Sequence, residues 1–319
     1  MKSLKKNVMF LCFIVLACAM TSTNALAKNY KIAFVARAQA DSFAAWLANA
    51  IEEEVKKYPD LKVDIMDSQA DDAKENAFIE NAIANSYDLI IVQPNNGEAQ
   101  RPYIEKVVKA GIPVIITNPR VTGITGASTV DADPYEQAGV NARLALKEVP
   151  KNANAVVLLG PAGNMHADKR FESWQKEFFD KRPDVKIVGK QIANWNKDEA
   201  MRFMEDWVQS NGKIDVIVAM NDNMCTGALE VIKDNPKYAK ILSYGVDGTA
   251  EALLLIKDGK MTATSMQNAY DLAAKNIKVA HELLTGKIKQ VDTNIDCPLI
   301  TKENVDKYLE IHRKAGAIQ

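Results

Sequence analysis

The chain has 319 residues, 47% of them apolar and 25% charged, with 40 lysines and arginines against 41 aspartates and glutamates. That length predicts about two domains and a core large enough to fold without a metal or disulfide staple. A formal charge of -1, with no long run of either sign, argues against nucleic acid and anionic lipid as partners.

In chain order, the first segment reads as an export signal. Lys2, Lys5 and Lys6 precede an apolar stretch from about Val8 to Met20, and Ala25-Leu26-Ala27 fits the small-x-small rule for cleavage. The predicted signal peptide is residues 1–27; lipid attachment at Cys18, after Val15-Leu16-Ala17, is the alternative. Either way the mature chain is expected outside the cytoplasmic membrane, in the periplasm. Cys225 and Cys297 then remain, too far apart in sequence to read as a disulfide framework.

From Tyr30 short apolar runs alternate with amphipathic segments. Strands are predicted at 31–36, 61–66, 88–92 and 112–117, with helices over 42–58, about 73–86 and about 98–110. The rhythm restarts with a helix near 134–148. Strands at 155–159, 185–193, 214–220 and 240–246 follow, with helices at 167–181, 197–210, 223–234 and 249–258. Such βα alternation predicts an α/β protein of two doubly wound parallel sheets, with a boundary near Val130 to Pro134.

Ligands of doubly wound sheets bind beyond the carboxyl ends of the strands. Past those ends the sequence places Arg37, Asp41 and Phe43, then Gln93, then Asn118. The second half supplies Asn164, His166 and Arg170, then Trp195, Asn221 and Asp247. Amides offer donor and acceptor together, carboxylates accept twice and arginine donates in a planar fork, an inventory suited to a hydroxyl-rich ligand. Phe43 and Trp195 supply faces for the C-H side of a sugar ring. Taken singly, these residues have plainer readings. Asp41 and Asn221 fit as helix N-caps, Gln93-Pro94-Asn95-Asn96-Gly97 as turn chemistry, His166 as a loop histidine and Trp195 as packing.

In order, the motifs resemble the periplasmic binding proteins of sugar ABC transporters, type I, galactose/glucose and ribose branch. The resemblance covers the mature chain from Tyr30 to about the last helix. It rests on Asp41-Ser42-Phe43, on Met220-Asn221-Asp222-Asn223-Met224 with Gly227-Ala228-Leu229, and on Tyr244-Gly245-Val246-Asp247-Gly248. Asp67-Ser68-Gln69 is a further hallmark, read as structural. The Gly-His-x-Asp-x-x-x-Arg loop of the galactose/glucose branch corresponds here to Gly163-Asn164-x-His166-x-x-x-Arg170, so that branch's sugar preference does not carry over. Gln267 matches the amide that the family sets at a crossover between domains. The branch's calcium loop has no counterpart in KEVPKNANAVVLL, so neither metal nor cofactor is expected.

The resemblance implies two lobes joined by a three-crossing hinge: residues 29–131 plus 267–293, and residues 132–266 plus 294–319. The crossings fall near Val130, Met266 and Cys297. It implies a monomer that closes on a monosaccharide, a hexose first, with pentose, inositol or an acidic sugar as alternatives, since Arg37 would favour an acidic or strongly hydrogen-bonding ligand. The partner is an ABC permease, with a chemoreceptor or sensor kinase as the alternative reader. Enzymatic readings lack their motifs. AFVARAQADSF has no dinucleotide-binding glycines, no phosphate-loop Gly-Lys-Ser/Thr follows Gly163, and no Gly-x-Ser-x-Gly occurs.

Overall fold

The computed structural model describes residues 28–318, so the expected leader and Cys18 lie outside the described residues. The chain runs β1 (Tyr30–Ala36), α1 (Ser42–Val55), β2 (Leu61–Asp67), α2 (Asp72–Ala84), β3 (Leu89–Val92), α3 (Gly97–Lys109), β4 (Val114–Thr117) and β5 (Ser128–Ala132). It continues α4 (Pro134–Glu148), β6 (Asn154–Leu159), α5 (Met165–Glu177), β7 (Lys186–Ile192), α6 (Lys197–Ser210), β8 (Val216–Ala219), α7 (Asp222–Ile232), β9 (Leu242–Asp247), α8 (Ala250–Lys257) and β10 (Ala263–Met266). Last come α9 (Ala269–Leu284), β11 (Asp292–Ile295), β12 (Leu299–Ile300) and α10 (Val305–Lys314).

Two six-stranded sheets result, as the α/β alternation predicts. The first has the order β11-β5-β4-β3-β1-β2 and is parallel throughout. The second has the order β12-β10-β9-β8-β6-β7 and is parallel except for the β10–β12 pair. Helices cover both faces, which is why central strands such as Leu89–Val92 and Val216–Ala219 are apolar and buried at every position. In each sheet the strand order reverses at one point, between β1 and β3 and between β6 and β8. A doubly wound sheet opens a crevice outside the strand ends at such a switch point.

The chain passes between lobes three times: after Ala132, after Met266 and after Ile295. Helix α4 packs on α5 in the second lobe, α9 returns to α1 in the first, and α10 lies against α8 in the second. Strands β5, β10, β11 and β12 are absent from the sequence reading. Their sequences, STVDA, ATSM, DTNI and LI, are short or polar. Yet β5 and β10 are fully buried, with hydrogen bonds from neighbouring elements meeting part of their polar backbone and side chains, though Ser265 Oγ has no partner. Thr117 Oγ1 donates to the β5 carbonyl of Val130 at 2.7 Å, and Thr264 Oγ1 donates to Asp222 Oδ1 at 2.6 Å.

Helix starts depend on side-chain caps. Asp41, Asp71, Asn96, Asp133, Asn164, Asn196, Asn221, Thr249 and Asn268 each accept a hydrogen bond from a backbone N–H of the first turn. Helix α5 therefore begins two residues before the predicted start and gives way to a short 3-10 turn at Phe179–Lys181. Cys225 is buried and Cys297 partly buried, and both are free thiols. Among the described residues no helix is long and apolar enough to cross a membrane, and no cluster of His, Cys, Asp or Glu is arranged to hold a metal.

Candidate functional site

Where the two switch points face each other, the lobes line a common cavity. Arg37, Asp41, Phe43, Asn118 and Pro119 line it from the first lobe; Asn164, His166, Arg170, Trp195, Asn221 and Asp247 line it from the second, with Gln267 at a crossing. Eleven of the twelve residues singled out in the sequence thus meet around one space. The exception is Gln93, which is fully buried one layer behind. Its Oε1 accepts from the Arg37 backbone N–H at 3.3 Å and its Nε2 donates to Asn118 Oδ1 at 3.2 Å, so it orients two lining residues without reaching the cavity.

The lining is polar, buried and balanced in charge. Arg37 Nη2 meets Asp41 Oδ1 at 3.1 Å, both groups below a tenth exposed. Arg170 Nη2 lies 3.8 Å from Asp247 Oδ1. Two guanidiniums therefore face two carboxyls. Arg170 spends most of its donors on protein: Nε and Nη2 reach Gln137 Oε1 at 3.0 and 2.8 Å, and Nη1 reaches the Met220 carbonyl at 2.7 Å. Gln137 also donates to Gln267 Oε1 at 2.5 Å, and Gln267 Nε2 to Asp247 Oδ1 at 3.2 Å, which ties the Arg170 fork to a crossing segment. Burial pushes the Asp247 carboxyl well above the usual range despite Arg170, with Asp222 and Asp41 adding repulsion. Burial likewise raises Asp222 to about 7 against hydrogen bonds from Thr264, Thr249 and Gly248.

The aromatic floor is seated by a glycine. A Cβ on Gly160 would lie 2.3 Å from Trp195 Cζ2, so only glycine lets the indole lie against the end of β6. Arg37 and Arg170 hold their Cζ atoms 5.9 and 5.5 Å from the Trp195 ring centroid, within cation–π range. Asn118, Trp195 and Asp247 all adopt positive φ, at 41°, 61° and 127°. Non-glycine residues in that region carry strain, and strain of this kind concentrates at ligand clamps.

Three capping residues also join the lobes. Asn164 uses Oδ1 to cap α5 and donates from Nδ2 to the Asn95 carbonyl of the first lobe at 2.9 Å. Asn221 caps α7 through Oδ1 and donates from Nδ2 to Asp41 Oδ2 at 3.3 Å, while Asp41 Oδ1 caps α1. Capping and cleft roles therefore coexist in the same side chains. His166 makes a third contact between the lobes, 2.9 Å from Nε2 to Asp131 Oδ1.

Three residues near the site escaped the sequence reading. Pro119 follows Asn118 directly, and adjacency was its only signal. Gln137 sits in mid-helix and Asp131 in a polar strand; neither has local chemistry that marks it.

A periplasmic binding protein domain model matches residues 32–288. The xylitol-binding protein of Mycolicibacterium smegmatis is 30% identical over 233 residues, 73% of this chain and 66% of that one. The ribose import binding protein of Salmonella typhimurium is 26% identical over 285 residues, 89% of this chain and 95% of its own. Among solved structures, the ABC transporter solute binding protein of Bacillus halodurans with bound myo-inositol superposes with a TM-score of 0.82 at 29% identity, covering 89% of this chain and 98% of that one. The match over most of the chain, the two doubly wound lobes and the cavity between them agree: the chain belongs to the type I periplasmic binding proteins, a family of binding proteins and not of enzymes.

Proposed function

We propose that the protein captures a neutral, hydroxyl-rich ring of about six carbons, a hexose or a cyclitol of the same size, and delivers it to an ABC permease outside the cytoplasmic membrane. The observation that carries this reading is the interlobe cavity itself, with its paired charges, four amides and indole floor. Arg37 is already paired with Asp41, and Arg170 spends Nε, Nη1 and Nη2 on Gln137 and the Met220 carbonyl, so both guanidiniums are engaged by protein groups before any acidic ligand arrives.

Asn118 supports a hydroxylated ligand most directly. Its Oδ1 turns back to Gln93, while its Nδ2 is buried without a hydrogen-bond partner. An unpaired buried donor costs about 1–3 kcal/mol, a cost that a ligand hydroxyl accepting from Nδ2 would remove. The names of the relatives point the same way: xylitol, ribose and myo-inositol are all polyhydroxylated and uncharged. The test is a thermal-shift series on protein refolded to strip bound ligand, against hexoses, pentoses, inositols and uronic acids. At 100 times its dissociation constant a ligand adds about 2.7 kcal/mol of stability. We expect a neutral hexose or inositol to give the largest shift; a uronic acid giving it, or silence across the panel, would overturn the reading.

A further inference from the structure

His166 lines the cavity, yet both of its ring nitrogens are already engaged by protein groups. Nε2 lies 2.9 Å from Asp131 Oδ1 in strand β5, across the gap between lobes, and Nδ1 lies 3.3 Å from Arg170 Nη2 on its own helix. His166, Asp131 and Arg170 are all 3% exposed or less. A guanidinium only donates. Nδ1 must therefore accept, and Nε2 carries the hydrogen that faces Asp131, which fixes a neutral imidazole in this arrangement.

The surrounding charges leave no room for an imidazolium. Asp131 Oδ2 already accepts from the Arg120 backbone N–H at 3.0 Å and from Arg120 Nε at 3.4 Å, so the carboxylate has its cation. Arg170 and Arg37 face the ring from α5 and from the first βα loop, each near a carboxyl of its own. Burial, ahead of the opposing pull of Asp131, holds the imidazole below its ordinary value, with Arg170 and Arg37 adding to the depression. Because Asp131 and Arg37 belong to the first lobe and His166 to the second, parting the lobes would take both away from the ring and admit water.

We propose that His166 is a closure residue and not a ligand-reading one: buried between the lobes it donates to Asp131 from Nε2 while Nδ1 accepts from Arg170, an arrangement that a second ring proton would set against the Arg170 guanidinium, so ligand capture releases a proton and weakens in acid. This rests on the binding function proposed above. The sign follows from the two states. A histidine whose value is more depressed in the closed form than in the open form, where water brings it toward its ordinary 6.5 although Arg170 stays beside it, loses its closing contribution as pH falls through the open-state value. Affinity should be flat above about pH 7 and fall by up to about tenfold per pH unit below about 6.5. The raised carboxyl of Asp247, which gains Asp41 as a neighbour on closure, would act in the opposite direction, by proton uptake.

The experiment is calorimetric titration of the purified chain with myo-inositol, xylitol, D-ribose and D-allose from pH 8 to pH 5, in wild type and in His166→Gln. The expected result is the acid loss in wild type, its absence in His166→Gln, and the same ranking of ligands in both. Wild type alone, titrated near pH 6 in buffers of different protonation enthalpy, should release protons on binding, which keeps the test decisive should His166→Gln fail to fold. Proton uptake, flat affinity, or equal slopes in the two proteins would overturn the proposal. Binding of none of the four at pH 8 would instead defeat the ligand class on which it rests.

Discussion

Asn118 shows how a single amide can be aimed. Gln93 takes its acceptor, the positive φ turns the residue toward the cavity, and the donor is left unpaired. Asn118→Asp keeps the acceptor for Gln93 and removes that donor. We expect a folded protein whose affinity for its ligand falls at least about tenfold, and calorimetry showing an unchanged constant would mean that the amide does not face the ligand. Gly160 supplies a second test at this scale. Gly160→Ala drives a methyl carbon into the indole, so near-ultraviolet circular dichroism should show a displaced Trp195, together with weakened binding. Most of these residues were legible because a residue just past a buried strand has few tasks besides turning, capping or binding. Gln137 and Asp131 were illegible for the converse reason. Their local sequence is that of any helix or strand, and their roles come from partners 33 and 35 residues away, Arg170 and His166.

Among elements, the N-caps carry the most consequence. Asn221 holds the first turn of α7 with one atom and the opposite lobe with another. The two duties separate in Asn221→Asp, which retains a capping oxygen and replaces the donor with a second oxygen facing Asp41. Helix stability should be preserved, since aspartate caps as well as asparagine, while closure meets repulsion between two carboxylates. The expected outcome is a ligand-free melting temperature close to wild type and a ligand-induced shift that is much reduced; a large fall in the ligand-free value would assign Asn221 to capping alone. Apolar strands announced themselves in the sequence, whereas β5, β10 and β11 did not. Alternation or apolar runs mark a strand only when water or oil decides its faces, and in β5 and β10 hydrogen-bond partners decide instead.

At the scale of the whole molecule, the lobes touch around the cavity through polar contacts, Asn164 to Asn95, Asn221 to Asp41 and His166 to Asp131, and away from it through Trp46 of α1 packed on His312 of α10. No single one of these holds the arrangement, so ligand and contacts should act together. Small-angle scattering should give a smaller radius of gyration with saturating ligand than without, and equal radii would argue against a hinged clamp. The three crossings after Ala132, Met266 and Ile295 have a mechanical consequence for such a clamp. One strand of chain is a swivel and two are a hinge with play, but three side by side, with β11 and β12 anchored in opposite sheets, resist torsion and sideways slip while still allowing bending. Such a joint has in effect one degree of freedom. A partner that grips the rims of both lobes can therefore gauge occupancy by measuring a single angle, much as calipers report a width without touching what fills them.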